Sequence, residues 1–493
     1  MNASDSLILI RLAAELTIKS RRTRSSFMRQ LRTNLRDALD SAGIAGQLES
    51  KWGRLFVHAS SELAVPTIAR VFGISSVSAI EATVPAELGT IVRTGAQLFE
   101  ERVRGRWFAV RARRVGTHAF SSKDIEVQLG AALLPYGAGV RLDEPEVAVH
   151  IEVRDETAYL FSGRVAGAGG LPLAVEGRAV ALLSGGYDSA VAAWLMLKRG
   201  LALDYVFCNL GGDAYERAVV QVAKLLADAW SYGTAPRLHV VDFDVPVRAM
   251  KEHVRESYWQ VVLKRLMVRA ASRVGAQLGA LAIVTGEAIG QVSSQTAANL
   301  RAIEPAADLP LFRPLLGFDK EEIITRAREI GTGALSEQVK EYCALTPGHP
   351  VTAATVERVD AEEARIDLTV LDEAIATRKV LDLRALAPTD LVGPYLFIDV
   401  IPEGAVVLDC RPPEQYRAWH LRGATRADEW QVLRDLRSMD RDRTYVLYCA
   451  YGIQTAHVAE RMQRAGFEAY SFRGGVRGLM EYARAHGQSV VLR

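Results

Sequence analysis

The segment 181–200, ALLSGGYDSAVAAWLMLKRG, constrains the fold of this chain more than any other stretch. It has the pattern of a short buried strand, a tight polar turn at 184–189 and an amphipathic helix. Small Ser and Gly residues leave backbone N–H groups free to surround an anion, and the helix dipole favours negative charge at the same point. The turn has neither the lysine nor the longer glycine spacing of the common nucleoside-triphosphate loop. An ordinary strand-to-helix turn is the alternative, but the complete S-G-G-x-D-S pattern favours phosphate binding.

The chain has 493 residues, which predicts several domains, because single hydrophobic cores stop growing near about 250–300 residues. Patterns in the first 165 residues predict two small α+β units, and the glycine-rich segment 166–172 marks a boundary. From residue 173 strands and helices alternate, as in a doubly wound parallel sheet. An acidic, mostly helical stretch at 353–390 leads to a smaller α/β domain. The predicted fold class is therefore α/β multidomain.

Positive charge is concentrated near the N-terminus, although the formal net charge of the chain is only +2. Residues 1–60 carry ten Lys/Arg against five Asp/Glu, and residues 101–123 carry seven against one. The segment 107–114 alternates between apolar and cationic positions, which predicts a strand with one buried and one basic face. Such faces are usually just solvated, but two of them in neighbouring units also suit a polyanion.

The four cysteines are Cys208, Cys343, Cys410 and Cys449, without a C-x-x-C metal spacing. So sparse a set predicts a reducing, cytoplasmic location, where a cysteine matters through its reactivity. We expect no secretory signal and no membrane span. Cys449 follows the predicted strand TYVLY and opens a loop before a helix, where backbone amides can stabilise a thiolate or persulfide. Cys208 and Cys410 are predicted to be packing residues. The sequence around Cys343 predicts a structural cysteine near a turn.

Six motifs, the opening segment among them, form an ordered set along the chain. They are GGLP (169–172), LLSGGYDSAVAAWLMLKRG (182–200), NLGG (209–212), LKRLMVRAAS (263–272), VTGEAIGQVSSQTAANL (284–300) and RPLLGFDKEEII (313–324). In this order they resemble the tRNA 4-thiouridine synthase family, which has a pyrophosphatase-type ATP loop and also supplies sulfur for the thiamine thiazole. The resemblance covers nearly the whole chain.

The resemblance implies the domains and the site residues. The domains are an N-terminal ferredoxin-like domain (1–60), an RNA-binding THUMP domain (61–165), an ATP-loop adenylation domain (173–375), a linker (376–400) and a rhodanese-like domain (401–493). The ATP site would comprise Leu182, Leu183, Ser184, Gly185, Gly186, Asp188, Ser189, Phe207, Lys264, Gly286 and Gln295. Asp188 would serve the Mg²⁺–pyrophosphate end, and Lys320 would stabilise charge that develops during adenylation. From the residues alone, Lys320 also suits a solvated helix start, and TGEAIGQ a plain strand-to-turn element.

The resemblance also implies the reaction. ATP would adenylate O4 of uridine 8 in tRNA, releasing pyrophosphate. Sulfur from a Cys449 persulfide, loaded by a cysteine desulfurase, would then replace that oxygen and release AMP. Cys343 would be the resolving thiol that forms a disulfide with Cys449. Whether the persulfide attacks directly or Cys343 first frees sulfide stays open. Tyr451, Gln454 and Thr455 stand where rhodanese loops often carry arginine or serine, which puts transfer from free thiosulfate in doubt.

Several partners follow from the resemblance. Arg21, Arg22, Arg24, Arg111, Arg113 and Arg114 are the candidate contacts with tRNA phosphates. A sulfur-carrier protein of thiamine synthesis is a second acceptor, no membrane or tightly bound metal is expected, and the family is compatible with a homodimer. Two alternatives remain: another ATP-loop adenylating ligase without persulfide chemistry, and a non-catalytic RNA-binding redox protein. The intact Asp188, Lys264 and Lys320 argue against the second.

Overall fold

The computed structural model describes residues 6–51, 54–59, 63–210, 212–337, 339, 349–387, 391, 394–450, 452–487 and 490–492. The chain forms two compact units, which divide between Gly170 and Leu171 inside the glycine-rich segment 166–172. Among the described residues, no helix has the length and apolar character that crossing a membrane requires.

The first unit contains two five-stranded sheets and the helices that cover them. Its strands are β1 Ser6–Leu12, β2 Gly46–Lys51, β3 Arg54–Ala59, β4 Ile74–Ile80, β5 Ala82–Pro85, β6 Trp107–Val115, β7 Gly139–Val140, β8 Val147–Arg154, β9 Thr157–Phe161 and β10 Val165–Ala166. Its helices are Ala14–Thr17, Arg21–Ser41, Ala64–Ala69, Leu88–Val103 and Ser122–Leu133. The sheets have the strand orders β10-β4-β1-β3-β2 and β5-β9-β8-β6-β7.

Local sequence explains several of these boundaries. The Ser20 hydroxyl accepts a hydrogen bond from the Thr23 backbone N–H and caps helix Arg21–Ser41. Ser121 and Asp124 form a capping box at the start of helix Ser122–Leu133. In β6 the predicted alternation is visible, since Phe108 and Val110 are buried and Arg111 is exposed. Ala109, predicted for the basic face, is nevertheless buried as well.

The first sheet continues beyond residue 60, where the sequence predicts the first domain boundary. Strand β4 pairs antiparallel with β1, from Leu7 opposite Ile80 to Leu12 opposite Ile74. Without this pairing one edge of β1 would expose a row of unpaired backbone groups. The predicted ferredoxin-like sheet therefore includes β4, and β10 pairs antiparallel with the other side of β4.

The second unit contains a larger sheet and a smaller domain. Its strands are β11 Arg178–Leu182, β12 Ala202–Asn209, β13 Arg237–Asp242, β14 Ile283–Val284, β15 Leu311–Phe312, β16 Lys379–Asp382, β17 Phe397–Ile398, β18 Val406–Asp409, β19 Trp419–Leu421, β20 Thr425–Arg426, β21 Thr444–Tyr448, β22 Glu468–Phe472 and β23 Val490–Leu492. Its α-helices are Tyr187–Lys198, Gly212–Trp230, Asp244–His253, Trp259–Leu278, Ala297–Ile303, Lys320–Ile330, Gly333–Ser336, Val356–Glu363, Thr369–Ala376, Pro413–Ala418, Glu429–Arg434, Ile453–Arg464 and Gly475–Ala485.

The large sheet confirms the predicted doubly wound architecture. Its strand order is β15-β14-β11-β12-β13-β16, and β11 pairs in parallel with β12 on one side and with β14 on the other. Strands β12 and β13 are added on one side of β11, and the later strands β14 and β15 on its other side. At such a switch point a crevice forms beyond the carboxyl end of the strand. At one edge β16 pairs antiparallel with β13. Residues 379–382, predicted as part of a linker, thus belong to this sheet.

The smaller domain is a parallel sheet with the order β17-β22-β21-β18-β20. Its core consists largely of β21, β22 and the buried face of helix Ile453–Arg464, including Leu447, Val458 and Met462. Strand β21 lies in the centre, between β22 and β18. Cys449 follows β21 directly, so the sheet holds this cysteine at the carboxyl ends of its strands.

Candidate active site

The turn 184–189 lies at the carboxyl end of β11, in the crevice that the topology creates. The Ser184 backbone N–H donates to Ser189 Oγ over 3.2 Å, and Ser189 Oγ donates to the Gly186 carbonyl over 3.2 Å. Gly185 has a φ of +77°, a conformation that a side chain would strain. These bonds hold the turn closed ahead of helix Tyr187–Lys198, whose N-terminus supplies the positive end of a dipole.

Gly286 is required by a close backbone approach to this turn. A Cβ atom at Gly286 would lie 2.6 Å from the Ser189 backbone nitrogen and 2.7 Å from the Asp188 carbonyl carbon. Gly286 follows β14, the neighbour of β11, so the backbone of the TGEAIGQ motif contacts the backbone of the turn 184–189, here called the phosphate turn. The motif therefore packs against this turn and forms part of the cavity wall.

A cavity of about 610 Å³ opens at these strand ends. It brings together eleven of the predicted residues: Leu182, Leu183, Ser184, Gly186, Asp188, Ser189, Phe207, Lys264, Gly286, Gln295 and Lys320. Gly185 packs closely against two side chains, because a Cβ atom at this position would lie 3.1 Å from Cγ2 of both Val219 and Val339. Cys208, predicted to serve packing, is buried and also lines the cavity.

Asp188 and Lys320 form an ion pair at the phosphate turn. Lys320 Nζ lies 2.8 Å from Asp188 Oδ1 and 3.1 Å from Oδ2, although 132 residues separate them in sequence. Lys320 is the first residue of helix Lys320–Ile330, which Asp319 and Glu322 start with a capping box. The capping fixes the helix start, and Lys320 at this position lines the cavity while its side chain stays 42% exposed.

Sequence reasoning missed several polar residues of the cavity. Gln291 Nε2 donates to Asp188 Oδ2 over 3.0 Å, so that carboxylate is held by an amide as well as by Lys320. Glu287 lines the cavity, accepts from Thr285 Oγ1 over 3.0 Å and pairs with Arg313 at 2.7 Å. Gln291 and Glu287 belong to the motif 284–300, so the sequence identified the segment but not the contacts that these two side chains make.

The Cys449 loop is the second candidate site. Cys449 is only 1% exposed, but polar groups surround its sulfur. The Gly452 backbone N–H donates to Cys449 Sγ over 3.1 Å, and Thr455 Oγ1 donates over 3.4 Å. Thr455 Oγ1 also lies 2.8 Å from Ser471 Oγ. This set of donors suits a thiolate or a persulfide anion.

A buried ion pair supports the strand that leads to Cys449. Arg411 donates to Asp409 through Nε at 2.9 Å and Nη2 at 2.6 Å, and the Tyr448 hydroxyl donates to Asp409 Oδ2 over 2.7 Å. Burial and the Asp409 charge raise the pKa of Tyr448, so this phenol stays a hydrogen-bond donor. Burial opposes the charge of Arg411, yet the bonds to Asp409 still raise the pKa of its guanidinium. The network ties the end of β18 to the end of β21, directly before Cys449.

The other predicted cysteines and loop residues have different places. Cys343 and Tyr451 lie outside the described residues, and Cys410 is half-buried. Cys410 packs against the hydrophobic core of the smaller domain, which agrees with the packing role predicted for it.

The candidate RNA-contacting arginines lie in the first unit. Arg21 and Arg22 are exposed at the start of helix Arg21–Ser41, with Arg24 half-buried beside them. On β6, Arg111 and Arg113 are exposed, whereas the half-buried Arg114 donates to the Gly116 carbonyl over 2.7 Å. Arg111 also donates to the Leu142 carbonyl.

A buried acid inside an arginine cluster was not predicted. Glu152 on β8 is 3% exposed and pairs with Arg11 at 3.2 Å, Arg54 at 2.9 Å and Arg154 at 2.6 Å. Arg11 and Arg54 come from β1 and β3, so the cluster ties the two sheets of the first unit together. Burial would raise the pKa of Glu152, but the arginines hold it below its usual value.

Four family models match successive parts of the chain. They are described as the ThiI ferredoxin-like domain (residues 7–78), the THUMP domain (86–162), Thiamine biosynthesis protein (ThiI) (174–368) and the Rhodanese-like domain (397–481). The fold and these matches thus define a multidomain α/β protein with ferredoxin-like, THUMP, ATP-loop and rhodanese-like domains.

Relatives of similar length are named tRNA sulfurtransferase. The one from Pyrobaculum aerophilum is 40% identical over 95% of this chain and 96% of its own length. The one from Proteus mirabilis is 34% identical over 93% of this chain and 98% of its own length. The chain belongs to the tRNA sulfurtransferase (ThiI) family.

Solved structures share the fold. A crystal structure of a 4-thiouridine synthetase–RNA complex with bound ATP matches with a TM-score of 0.67 and 29% identity, covering 77% of this chain and 99% of that one. The structure of PH1313 from Pyrococcus horikoshii matches with a TM-score of 0.53 and 26% identity, covering 66% and 99%.

Proposed function

We propose that this protein is an ATP-dependent tRNA uracil 4-sulfurtransferase that converts uridine 8 of tRNA to 4-thiouridine. One observation carries the proposal. The Asp188–Lys320 pair at a phosphate turn and the hydrogen-bonded Cys449 thiol occur in one compact unit. An adenylation site and a sulfur-carrying thiol are the two parts that exchange of a carbonyl oxygen for sulfur needs.

ATP binds in the cavity at the end of β11. Leu182, Leu183 and Phe207 hold the adenosine, Lys264, Gly286 and Gln295 complete the pocket, and the turn 184–189 holds the phosphates. The solved relative whose crystal structure contains ATP supports this assignment. The carboxylate of Asp188 is a suitable hard-oxygen ligand for Mg²⁺ because it lies beside the turn and its side chain keeps 20% of its surface exposed. Bound with ATP, Mg²⁺ would neutralise charge on the departing pyrophosphate.

Adenylation makes the uracil oxygen a leaving group. The O4 oxygen attacks the α-phosphate of ATP, a new P–O bond forms, and pyrophosphate leaves. The Lys320 ammonium, which pairs with Asp188 in the structure, can turn to the phosphates and stabilise the charge that develops. The base then carries AMP on O4, and C4 is open to a sulfur nucleophile.

Cys449 delivers the sulfur. A cysteine desulfurase loads the thiol, giving a Cys449 persulfide whose terminal sulfur attacks C4 and expels AMP. The Cys343 thiolate then attacks Cys449 Sγ, forming a disulfide and leaving the sulfur on the base. In the alternative order Cys343 first releases hydrosulfide, which attacks C4 itself. Either route oxidises the two cysteines by two electrons, which a thiol reductant must return.

The first unit binds the tRNA. Its match to the THUMP model and the RNA present in the similar structure support this role. Exposed arginines such as Arg21, Arg22 and Arg111 contact phosphates and position the RNA without reading its sequence. The rhodanese-like domain supports a second role, delivery of sulfur to the adenylated C-terminus of the sulfur-carrier protein in thiamine thiazole synthesis.

Two measurements test the proposal. The purified protein with ATP, Mg²⁺ and unmodified tRNA should release pyrophosphate, and 4-thiouridine should appear in the tRNA when cysteine, a cysteine desulfurase and a thiol reductant are added. Mass spectrometry of the nucleosides measures the product. Pyrophosphate release that depends on another acceptor would instead support a different adenylating ligase, and no release at all would contradict the enzyme assignment.

A further inference from the structure

One wall of the cavity comes from the chain that follows helix Lys320–Ile330. Ser336, Glu337 and Val339 line the cavity. Val339 also reaches the phosphate turn, because a Cβ atom at Gly185 would lie 3.1 Å from Val339 Cγ2. This wall is therefore in direct contact with the loop that holds the phosphates.

The same wall contacts the rhodanese-like domain. Helix Gly333–Ser336 packs against helix Ile453–Arg464, and Arg461 Nη1 lies 3.7 Å from Glu337 Oε2. The second helix begins directly after the Cys449 loop, and its Thr455 donates to Cys449 Sγ. Arg461 stands eight residues after the first residue of this helix, roughly 12 Å along its axis at 1.5 Å per residue.

We propose that Glu337 and Arg461 form a docking contact that sets where the Cys449 loop stands relative to the ATP cavity, with Arg461 as a positioning residue for sulfur delivery. The inference rests on the proposed function. One rigid helix links the thiol loop to Arg461, and Glu337 links that helix to a wall of the cavity. A shift at this contact therefore moves the thiol relative to the phosphate turn.

The expected effect is moderate and depends on salt. Both side chains are 42% exposed, so the pair adds little to the stability of the fold, and its attraction weakens as ionic strength rises. Loss of the contact through Arg461, which is not among the residues that line the cavity, should slow sulfur transfer while leaving adenylation, which does not involve Cys449, at its normal rate.

The test compares Arg461→Glu with the double variant Arg461→Glu/Glu337→Arg. Arg477→Glu is the matched control, since Arg477 pairs with Glu481 at 3.3 Å within one helix of the same domain. Each protein is assayed for pyrophosphate release and for 4-thiouridine formation with a desulfurase and cysteine, and the second rate is divided by the first. At low salt we expect Arg461→Glu to lower this ratio about five- to tenfold, the double variant to recover most of it, and Arg477→Glu to match the unmodified protein.

The outcomes separate the two proposals. If the unmodified protein forms no 4-thiouridine, the proposed function is wrong. If it does, and Arg461→Glu gives the same ratio as Arg477→Glu or the double variant recovers nothing, the docking contact is wrong while the function stands.

Discussion

The ATP cavity and the Cys449 loop belong to one compact unit but present their reactive groups to solvent in opposite ways. In the cavity, Lys320 keeps 42% of its side chain exposed, although it pairs with Asp188. In the loop, Cys449 is 1% exposed beneath hydrogen bonds from Gly452 and Thr455. Under the proposed function, the cavity is already open to a diffusing nucleotide, whereas the thiol would have to become exposed before it could accept or deliver sulfur.

This difference has a chemical reason. Under the proposed function, a persulfide in open solvent would be lost to reductants and other thiols, so shielding would preserve it until the activated base arrives. A nucleotide site has no such need, because ATP is stable in water and binds from solution. Variants that act on one of the two sites should therefore separate adenylation from sulfur transfer.

The largest effect is expected for Cys449→Ser. Formation of 4-thiouridine should fall at least about 10³-fold, because a serine hydroxyl cannot carry a persulfide. Pyrophosphate release with unmodified tRNA should persist. The control is Cys410→Ser, a half-buried cysteine in the same domain, which should keep both activities. Thiolation by Cys449→Ser at the normal rate would refute the role of the loop.

Asp188→Asn should act on the other site. Loss of the carboxylate removes the charge that Lys320 pairs with and the proposed ligand of Mg²⁺, so pyrophosphate release should fall about 10²–10³-fold. Loading of Cys449 by a desulfurase, followed with ³⁵S-cysteine, should not change. Glu329→Gln, which alters an exposed carboxylate paired with Arg326, is the control. Normal pyrophosphate release by Asp188→Asn would contradict the assignment.

Gly286→Ala tests the close approach between the TGEAIGQ motif and the phosphate turn. The new Cβ would lie 2.6 Å from the Ser189 nitrogen, and relieving such overlap typically costs about 1–3 kcal/mol. ATP should bind about tenfold more weakly by calorimetry. Gly317→Ala, where the added Cβ meets nothing within 4 Å, should bind ATP normally. Equal affinities would show that the turn tolerates displacement.

The smallest effect is expected for Thr455→Val. This change removes one donor to Cys449 Sγ while keeping the shape of the side chain. The contact is long, at 3.4 Å, so its net contribution is about 1 kcal/mol, and alkylation by iodoacetamide should slow about fivefold. Thr455→Ser restores a hydroxyl and should recover most of the rate. Faster alkylation of the valine variant would mean that the hydroxyl acts mainly as a cover over the sulfur.

Predictions from the sequence succeeded where the signal is local. The strand, turn and helix predicted at 181–200 are present as β11, the turn 184–189 and helix Tyr187–Lys198. The domain edges at 60 and 376 were harder, because they depend on which distant strands pair. Strand β4 pairs with β1, and β16 pairs with β13. The sequence of β4 or of β16 does not indicate which strand will be its partner.

The sequence by itself determined the elements of this protein: a phosphate turn with small residues, a cysteine at a strand end, and capped helices, all set by backbone propensity over a few residues. Only the tertiary structure decided which side chains meet. Gln291 reaches Asp188 across 103 residues, and Arg461 reaches Glu337 from another domain. The physical reason is that a polar side chain is compatible with many environments, and the packing of distant elements selects the one in which it finds a partner.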